Sequence, residues 1–188
     1  MKRWIALVSA AMLSTGTMAT EQNIMYGKSR VVCASYQMGV PVEAEFQRFT
    51  AQIDFSPDRP ETSKIQIAID TSSFEFDPEI DDEVRGRLWL DAHDFPQARF
   101  VSSSVQALGN GRYEANGTLA IKGTSAEVAV PFTYQPNVNG GIFEGTFTIS
   151  RLRYNIGEGR WRDTSTVADN VQIKFLITTS GLATTNKK

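Results

Sequence analysis

The chain has 188 residues, of which 41% are hydrophobic, and it carries a formal net charge of −2 at pH 7. This length is enough for one domain with a sizeable core, and the mildly acidic balance argues against nucleic acid as a general partner. Cys33 is the only cysteine, so an intrachain disulfide is excluded and the core and sheet must supply the stability. It lies in an apolar, strand-like run, where we expect a small buried side chain.

Residues 1–19 have the pattern of a secretory signal peptide. Two basic residues precede an apolar run from Trp4 to Leu13, and small residues follow as far as Ala19. The apolar run is shorter than the roughly 20 residues that a membrane-spanning helix needs. We therefore expect cleavage near Ala19, a mature domain over residues 20–188, and export to an oxidising compartment.

Most of the remaining chain alternates between apolar and polar residues, which is the period of β-strands. Turn-forming pairs such as Asn110-Gly111 join these runs into hairpins, so we expect an antiparallel up-and-down meander. The first turn is expected at Gly39-Val40-Pro41. The eight predicted strands are 29–36, 46–55, 65–69, 99–108, 113–121, 128–134, 143–152 and 171–177.

One segment between the third and fourth predicted strands departs from this pattern. Asp77 is a favourable N-cap residue and Pro78 suits the first turn of a helix. Ile80, Val84 and Leu88 recur at helical spacing. The sequence therefore predicts one short amphipathic helix here.

Exposed edges decide how such a sheet is arranged. In an open sheet the first and last strands, both long and apolar, would expose unpaired backbone groups to other chains. Closure into a barrel removes both edges, and a barrel of eight strands is just wide enough to hold one small ligand. A two-sheet sandwich has the same periodicity and is the alternative that the pattern leaves open.

Catalytic and metal-binding motifs are weakly represented. His93 is the only histidine and lies between Asp91 and Asp94, but neighbouring side chains in a loop rarely converge on one point. The sequence has no nucleophile elbow, no HExxH motif and no paired-cysteine ligand set. We therefore expect no catalytic residue, no metal site and no cofactor.

Four arginines stand among aromatic and aliphatic residues in the segment 151–163. Guanidinium groups beside aromatic rings can bind an anionic head group, and we place Arg151 or Arg153 near the opening of the barrel. The alternative is an ordinary solvated loop in which Glu158 and Asp163 are local ion-pair partners.

Seven ordered segments carry a resemblance to a known family. They include Trp89-Leu90-Asp91, which runs into Phe95-Pro96, and Val130-Pro131-Phe132. On these segments the chain resembles the YceI-like family of secreted bacterial proteins over essentially the whole mature length. The seven segments are 37–42, 46–49, 54–57 with Pro60, 89–100, 117–124, 130–132 and 151–161.

The resemblance implies an extended, lipocalin-like antiparallel barrel. Together with the strand pattern and the signal segment, the predicted fold is an all-β, periplasmic, eight-stranded up-and-down barrel with one short helix. Its interior would take the long apolar tail of a polyisoprenoid, a quinone or a related amphiphile, with no catalysis. Each buried methylene contributes roughly 0.8 kcal/mol, so such a tail can be held without specific polar contacts. From inward parity we predict that six aromatic side chains line the cavity: Phe49, Trp89, Phe100, Phe132, Phe147 and Phe175.

The predicted function is a periplasmic protein that carries, stores or scavenges a long-chain isoprenoid or similar lipid. One alternative is a quinone-binding accessory that meets a membrane cytochrome, with transient membrane contact. Another is an enzyme that acts on a periplasmic amphiphile. The sequence leaves open which lipid is bound and whether the protein forms a homodimer.

Overall fold

The computed structural model describes residues 23–138 and 140–181, so the predicted signal segment 1–19 lies outside the described residues. This part of the chain forms eleven β-strands, one α-helix and five short 3₁₀ turns. None of its helices is long and apolar enough to cross a lipid bilayer. The helix is α1 (Pro78–Arg85), and the strands are β1 (Asn23–Ile24), β2 (Arg30–Gln37), β3 (Val40–Phe46), β4 (Phe49–Asp54), β5 (Lys64–Asp70), β6 (Phe74–Glu75), β7 (Gln97–Gly109), β8 (Arg112–Ile121), β9 (Thr124–Asn137), β10 (Gly140–Ser150) and β11 (Asn170–Ser180).

All described strand pairs are antiparallel, and together they make one curled sheet. Its order is β4-β5-β7-β8-β9-β10-β11-β2-β3-β6, and β1 pairs with β11. The predicted all-β, antiparallel meander with one short helix is confirmed. The strand count differs, because the described chain has nine strands of six residues or more and two strands of two residues.

The additional long strand is β3. The sequence analysis missed it because it assigned Val40 and Pro41 to a turn, whereas both residues belong to the strand. The turn before it consists of Met38 and Gly39, both with positive φ (50° and 81°), as a two-residue hairpin requires. Pro41 lies within β3, opposite Tyr36 of β2. On its other side β3 pairs only at its last two residues, with β6. The missing N–H of Pro41 therefore interrupts no second ladder.

The predicted strand 46–55 is divided into β3 and β4 by Gln47 and Arg48. The Gln47 N–H donates to the Ser73 carbonyl (3.0 Å), and the Arg48 N–H donates to Ser73 Oγ (3.0 Å). No ladder joins β3 to β4 within 23–138 and 140–181. The sheet thus curls around its core with one seam, and the segment 71–76 fills that seam.

The short helix α1 follows this seam segment and begins as the sequence predicts. Asp77 accepts a hydrogen bond from the Glu79 N–H (2.9 Å), which is the expected N-cap contact. The buried Asp81 carboxylate accepts from the Phe76 N–H (2.9 Å) and pairs with Arg85 (3.2 Å). The helix ends at Arg85, so Leu88 lies beyond it.

One end of the barrel interior is packed with aromatic rings. Phe55 lies at the centre of this group, with ring centroids 5.0 Å from Tyr113, 5.7 Å from Phe132, 4.9 Å from Tyr134 and 5.2 Å from Phe143. Three of these four contacts are edge-on, the arrangement that aromatic pairs favour. We call these five residues the aromatic plug.

We expect Phe55→Ala to lower the free energy of unfolding by about 3–5 kcal/mol, because it opens a cavity at the centre of the plug. Urea denaturation followed by far-UV circular dichroism measures the loss. Tyr36→Ala is the matched control, since Tyr36 is 56% exposed and should change stability by about 0.5 kcal/mol or less. Equal losses in both variants would contradict the role of the plug.

Candidate ligand cavity

A cavity of about 300 Å³ lies between the curled sheet and α1. Its wall follows the inward parity of the strands: Val31, Cys33 and Ser35 of β2 alternate with outward residues, as a two-residue period requires. Aliphatic and aromatic side chains make up most of the wall. The aliphatic ones include Ile53, Ile65, Ile67, Ile69, Ala98, Leu119, Ile121, Val130, Ile149, Val171 and Ile173.

The two ends of the cavity differ. At one end the wall includes Phe132 and Phe143, which belong to the aromatic plug. At the other end the wall includes Gln37, Phe76 and Glu83, which are exposed. The opening to solvent therefore lies between the β2–β3 hairpin and α1, next to the seam of the sheet.

The structure places five of the six predicted aromatic residues on the cavity wall. They are Trp89, Phe100, Phe132, Phe147 and Phe175. Phe49 lies elsewhere: it is buried in the core, with its ring 5.5 Å from that of Tyr26. Contact of these residues with a ligand stays a prediction. The aliphatic part of the wall shares the same inward parity, so parity applied to every strand residue would have found it.

The Phe175 ring depends on a glycine in the neighbouring strand. Gly145 of β10 is the register partner of Phe175. A Cβ at residue 145 would lie 2.5 Å from Phe175 Cζ, which is closer than side-chain atoms can approach. The glycine therefore leaves the space beside β10 that the Phe175 ring occupies.

Arg151, one of the two predicted head-group residues, is buried and lines the cavity. Its Nε donates to the Ala168 carbonyl (3.1 Å), and Nη1 donates to the carbonyls of Ile156 (2.9 Å) and Gly157 (3.4 Å). Its Nη2 donates to two further carbonyls, those of Trp161 (2.6 Å) and Val167 (2.8 Å). All five donors are thus occupied, and none remains for a ligand head group.

The buried charge of Arg151 is stabilised by protein groups, whereas water stabilises the charge of a surface arginine. Burial lowers the pKa of the guanidinium, and the charge of Asp169 opposes that shift. The guanidinium carbon lies 5.5 Å from the centroid of the Trp89 ring, within the range of a cation–π contact. Arg151 therefore holds the segment 151–168 and the Trp89 ring in one arrangement.

The segment after β10 consists of turns and does not extend the strand. Strand β10 ends at Ser150, two residues before the predicted end of the strand 143–152, and the 3₁₀ turns Leu152–Tyr154 and Gly159–Arg162 follow it. Arg153, the other predicted head-group residue, is exposed and lies outside the cavity wall. Glu158 lies 3.9 Å from Lys122, and Arg160 pairs with Glu83 (3.0 Å). Within the described ranges, no ion pair thus joins Glu158 or Asp163 to an arginine of this segment.

Two tryptophans meet beneath α1. The rings of Trp89 and Trp161 are 5.5 Å apart, and both line the cavity. Glu83 of α1 accepts hydrogen bonds from Trp161 Nε1 (3.1 Å) and from Arg160 (3.0 Å). This carboxylate therefore ties the helix to the 3₁₀ turn at the opening. Trp89 Nε1, by contrast, is buried without a hydrogen-bond partner in the described part of the chain.

Cys33 lies on the cavity wall between Val31 and Ser35. Burial raises the pKa of its thiol to about 12, because an apolar environment disfavours the thiolate. Its neighbours across the strands are Ala44 and Ile173. The thiol is thus a small, neutral part of the wall, as the apolar run around it indicates.

His93 is far more exposed than a catalytic base usually is. Its side chain is 97% exposed and, among the residues that the structure describes, bonds only to the adjacent Asp94 carboxylate (2.7 Å), which raises the pKa of the imidazole. It is outside the cavity wall. Within the described ranges, no three His, Cys, Asp or Glu side chains are grouped in a way that could hold a metal ion.

A curled antiparallel sheet around an apolar cavity, with a helix at the opening, defines the class of β-barrel binding proteins. The YceI-like domain model matches residues 23–179, so the chain belongs to the YceI-like family. This match covers almost all of the residues that the structure describes.

Solved structures show the same fold. BcnA of Burkholderia cenocepacia is 41% identical, with a TM-score of 0.80 over 82% of this chain and 98% of that one. The YCEI protein of Campylobacter jejuni is 20% identical, with a TM-score of 0.67 over 74% and 85% of the two chains. A polyisoprenoid-binding domain from Saccharophagus degradans is 11% identical, with a TM-score of 0.65 over 87% and 98%.

Among relatives by sequence, a UPF0312 protein of Pseudomonas savastanoi is 27% identical over 122 residues. That match spans 61% of this chain and 64% of the relative. A UPF0312 protein of Pseudomonas fluorescens is 29% identical over 144 residues, which are 70% of this chain and 71% of the relative.

We expect Arg151→Lys to lower the free energy of unfolding by about 3 kcal/mol, because an ammonium cannot reach the five carbonyls that the guanidinium bonds. Arg153→Lys is the matched control, and it should stay within about 0.5 kcal/mol of the unaltered protein because Arg153 is exposed. Urea denaturation measures both. If Arg151→Lys is as stable as the unaltered protein, the five hydrogen bonds of Arg151 do not stabilise the segment 151–168.

We expect Cys33 to react with iodoacetamide about a thousandfold more slowly at pH 8 than the same thiol in urea-unfolded protein. A pKa of about 12 leaves on the order of one thiol in ten thousand ionised at that pH, whereas an unburied thiol is ionised to roughly 10–20%. The rate in the folded protein should rise about tenfold per pH unit from pH 7 to 10. In the unfolded protein the reaction rate should level off above about pH 9. If the rate depends on pH in the same way in the folded and unfolded protein, the Cys33 thiol is not buried as described.

Proposed function

We propose that this protein binds the apolar tail of a long-chain isoprenoid or similar amphiphile in its cavity. The observation that carries the proposal is the cavity itself, whose wall is formed by inward-facing aliphatic and aromatic side chains from both halves of the sheet. Pockets of this composition bind ligands mainly through burial of apolar surface. The Saccharophagus degradans domain with the same fold is a polyisoprenoid-binding domain, and this supports the same class of ligand here.

The shape of the cavity favours a long apolar ligand with one polar, solvent-exposed end. The aromatic plug closes one end of the interior, whereas the wall near Phe76 and Glu83 is exposed. An apolar chain can therefore lie against the barrel wall while its polar end stays near α1. Each methylene buried in this way contributes roughly 0.8 kcal/mol, so chain length would set much of the affinity.

We further propose that the protein acts in the periplasm as a carrier, store or scavenger of this lipid, without catalysis. The signal-like segment 1–19 supports export. His93 is exposed and lies outside the cavity wall, which supports a binding function and not a catalytic one. Contact with a membrane, with a membrane cytochrome or with a second copy of the chain stays a prediction. A quinone as the natural ligand would favour the cytochrome accessory.

The test is to express the full chain in bacterial cells, purify it under mild conditions and record native mass spectra. Organic extraction and lipid mass spectrometry then identify the bound molecule. We expect a stoichiometric isoprenoid, either an isoprenoid alcohol or phosphate or a quinone. A consistently empty protein, which also fails to take up added isoprenoid, would contradict the proposal.

A cavity-filling variant provides the matched comparison. Ala44 of β3 lies on the cavity wall and is half-buried, whereas Ala129 of β9 is exposed on the outer face. We expect Ala44→Phe to reduce the bound lipid several-fold, because the new ring occupies ligand volume, and Ala129→Phe to leave it unchanged. Thermal unfolding of both variants checks that each is folded. Equal lipid content in the two variants would place the ligand outside this cavity.

A further inference from the structure

The closed end of the cavity consists of two layers of aromatic rings. Phe132 and Phe143 line the cavity, and the other three rings of the plug lie outside the cavity wall. The Phe132 ring lies 5.7 Å from that of Phe55 and 5.5 Å from that of Tyr113. The Phe143 ring lies 5.2 Å from that of Phe55 and 4.9 Å from that of Tyr134. Each ring of the first layer thus rests on two rings of the second.

The rings of the second layer continue the inward positions of their strands beyond the cavity. Tyr113 comes two residues before Ala115, a wall residue of β8, and Tyr134 comes two residues after Phe132 of β9. Phe55 likewise comes two residues after the last wall residue of β4. Because side chains on one face of a strand recur every two residues, these rings occupy the next step along the barrel interior. The plug is therefore an end wall and not a side wall.

A glycine and two hydrogen bonds hold the second layer in place. A Cβ at residue 141 would lie 2.1 Å from Tyr134 Cε2, so the Tyr134 ring occupies space beside β10 that a larger residue would take. Tyr134 Oη donates to the Gly140 carbonyl (3.3 Å), and the Gly141 N–H donates to Thr179 Oγ1 (3.0 Å). A ligand tail would have to displace this ring to pass the plug. The closed end is therefore fixed by the fold and not by one rotatable side chain.

The cavity wall has the same extent on four strands. On each of them the first and last wall residues are six positions apart, which corresponds to about 20 Å of extended chain. Strands in barrels tilt by about 35–45°, so the wall measures about 15 Å along the barrel axis. The four spans are 31–37 on β2, 115–121 on β8, 143–149 on β10 and 171–177 on β11.

This length matches an extended isoprenoid tail of about three to four units. Carbon–carbon bonds are about 1.5 Å long, so the four chain carbons of one isoprene unit span about 5 Å. An interior of about 15–20 Å therefore takes about three to four units. The cavity volume of about 300 Å³ lies at the lower end of the range for pockets that hold one small ligand, which agrees with a tail of this length.

The wall residues next to the plug are apolar and buried. They are Ile53, Ala115, Val130 and Ile177. Ala115 pairs with Val130, and Ile177 pairs with Phe143 of the plug. Burial of a hydroxyl or phosphate without a partner is costly in such surroundings, whereas burial of a hydrocarbon end is favourable. The tail therefore points toward the plug, and a residue larger than Ala115 would shorten the space in front of it.

We propose that the aromatic plug is the end stop for the ligand tail and limits the buried part of an isoprenoid to about three to four units. The size of residue 115 then determines how far the tail reaches. Further units of a longer chain, together with its polar end, lie outside the cavity. This inference rests on the proposed lipid-binding function and adds to it a limit on the length of chain that is bound.

The experiment measures how the effect of one substitution depends on chain length. The probes are geraniol, farnesol, geranylgeraniol, geranylfarnesol and solanesol, which have two, three, four, five and nine isoprene units. Each alcohol competes with a fluorescent fatty acid on delipidated full-length protein, at a fixed concentration of a cyclodextrin that keeps the long alcohols dissolved. The affinity of a variant is divided by that of the unaltered protein, so the preference of the cyclodextrin for each alcohol cancels.

Ala115→Leu fills the space in front of the plug. We expect it to leave the affinity for geraniol within about twofold and to lower that for geranylgeraniol about tenfold or more, because the last unit loses its buried position. The loss should be the same for geranylfarnesol and solanesol, since their additional units lie outside the cavity in both proteins. Ala115→Val, a smaller change, should give a smaller loss with the same dependence on length. Thermal unfolding checks that each variant is folded.

Ala98→Leu is the matched control at the other end of the wall. Ala98 lines the cavity near the start of β7, where it pairs with Ile69 of β5. Every tail passes this position, so we expect Ala98→Leu to weaken all five alcohols by a similar factor.

An enlarged cavity should give the opposite result. Phe143→Ala removes a ring of the first layer, and Phe147→Ala removes a wall ring of the same strand nearer the opening. We expect Phe143→Ala to raise the affinity for geranylfarnesol relative to geranylgeraniol several-fold, because one further unit can be buried. Phe147→Ala should leave this ratio unchanged, and equal ratios in the two variants would contradict the end stop.

The failure of this inference can be told apart from the failure of the proposed function. If Ala115→Leu changes the affinity by the same factor at every chain length, the inference is overturned and the proposed function stands. The same holds if the loss keeps growing from four to nine units, because the tail would then continue past the plug. If the unaltered protein binds none of the five alcohols, both the proposed function and this inference fail.

Discussion

The buried guanidinium of Arg151 is the interaction on which the ligand cavity depends. Its five donors bond five backbone carbonyls spread over residues 156–168, a stretch without strand structure apart from one isolated bridge. Carbonyl groups in a turn segment need partners when they are buried, and a planar, rigid fork of N–H groups supplies them from one point. The Arg151 guanidinium also packs against the face of the Trp89 ring, 5.5 Å from its centroid. One side chain thus organises the wall next to the opening.

The interior of the barrel is divided between packed core and ligand space. The other four rings of the plug lie 4.9–5.7 Å from the Phe55 ring, so that end is filled by protein. Between the plug and α1 the inward residues are mostly aliphatic, and an open volume of about 300 Å³ remains. Rings that pack on one another fill space efficiently, whereas aliphatic side chains on a curled sheet leave a gap along its axis. The proposed ligand occupies that gap.

The seam between β3 and β4 lies next to the opening of the cavity. A fully closed barrel would continue its ladder of backbone hydrogen bonds across this position. Here Gln47 and Arg48 turn their N–H groups to Ser73, and the short strand β6 and the helix α1 fill the interval. These elements are held by side-chain contacts such as those of Asp81 and Glu83. Such contacts can open at lower free energy than a continuous ladder of backbone hydrogen bonds.

The sequence by itself determined the fold class, the helix start at Asp77 and five of the ten aromatic residues that line the cavity, because these follow from local periodicity and capping chemistry. It did not determine strand β3, since Pro41 is tolerated only where the second edge of the strand has no neighbour, which is a property of the whole sheet. It placed Phe49 on the wall although Tyr26 covers its ring in the core. It predicted Arg151 or Arg153 as a head-group residue because guanidinium groups beside aromatic rings can bind an anion, whereas Arg151 is buried. Only the tertiary structure brings together the carbonyl groups that bury this charge, because they come from residues up to 17 positions away along the chain.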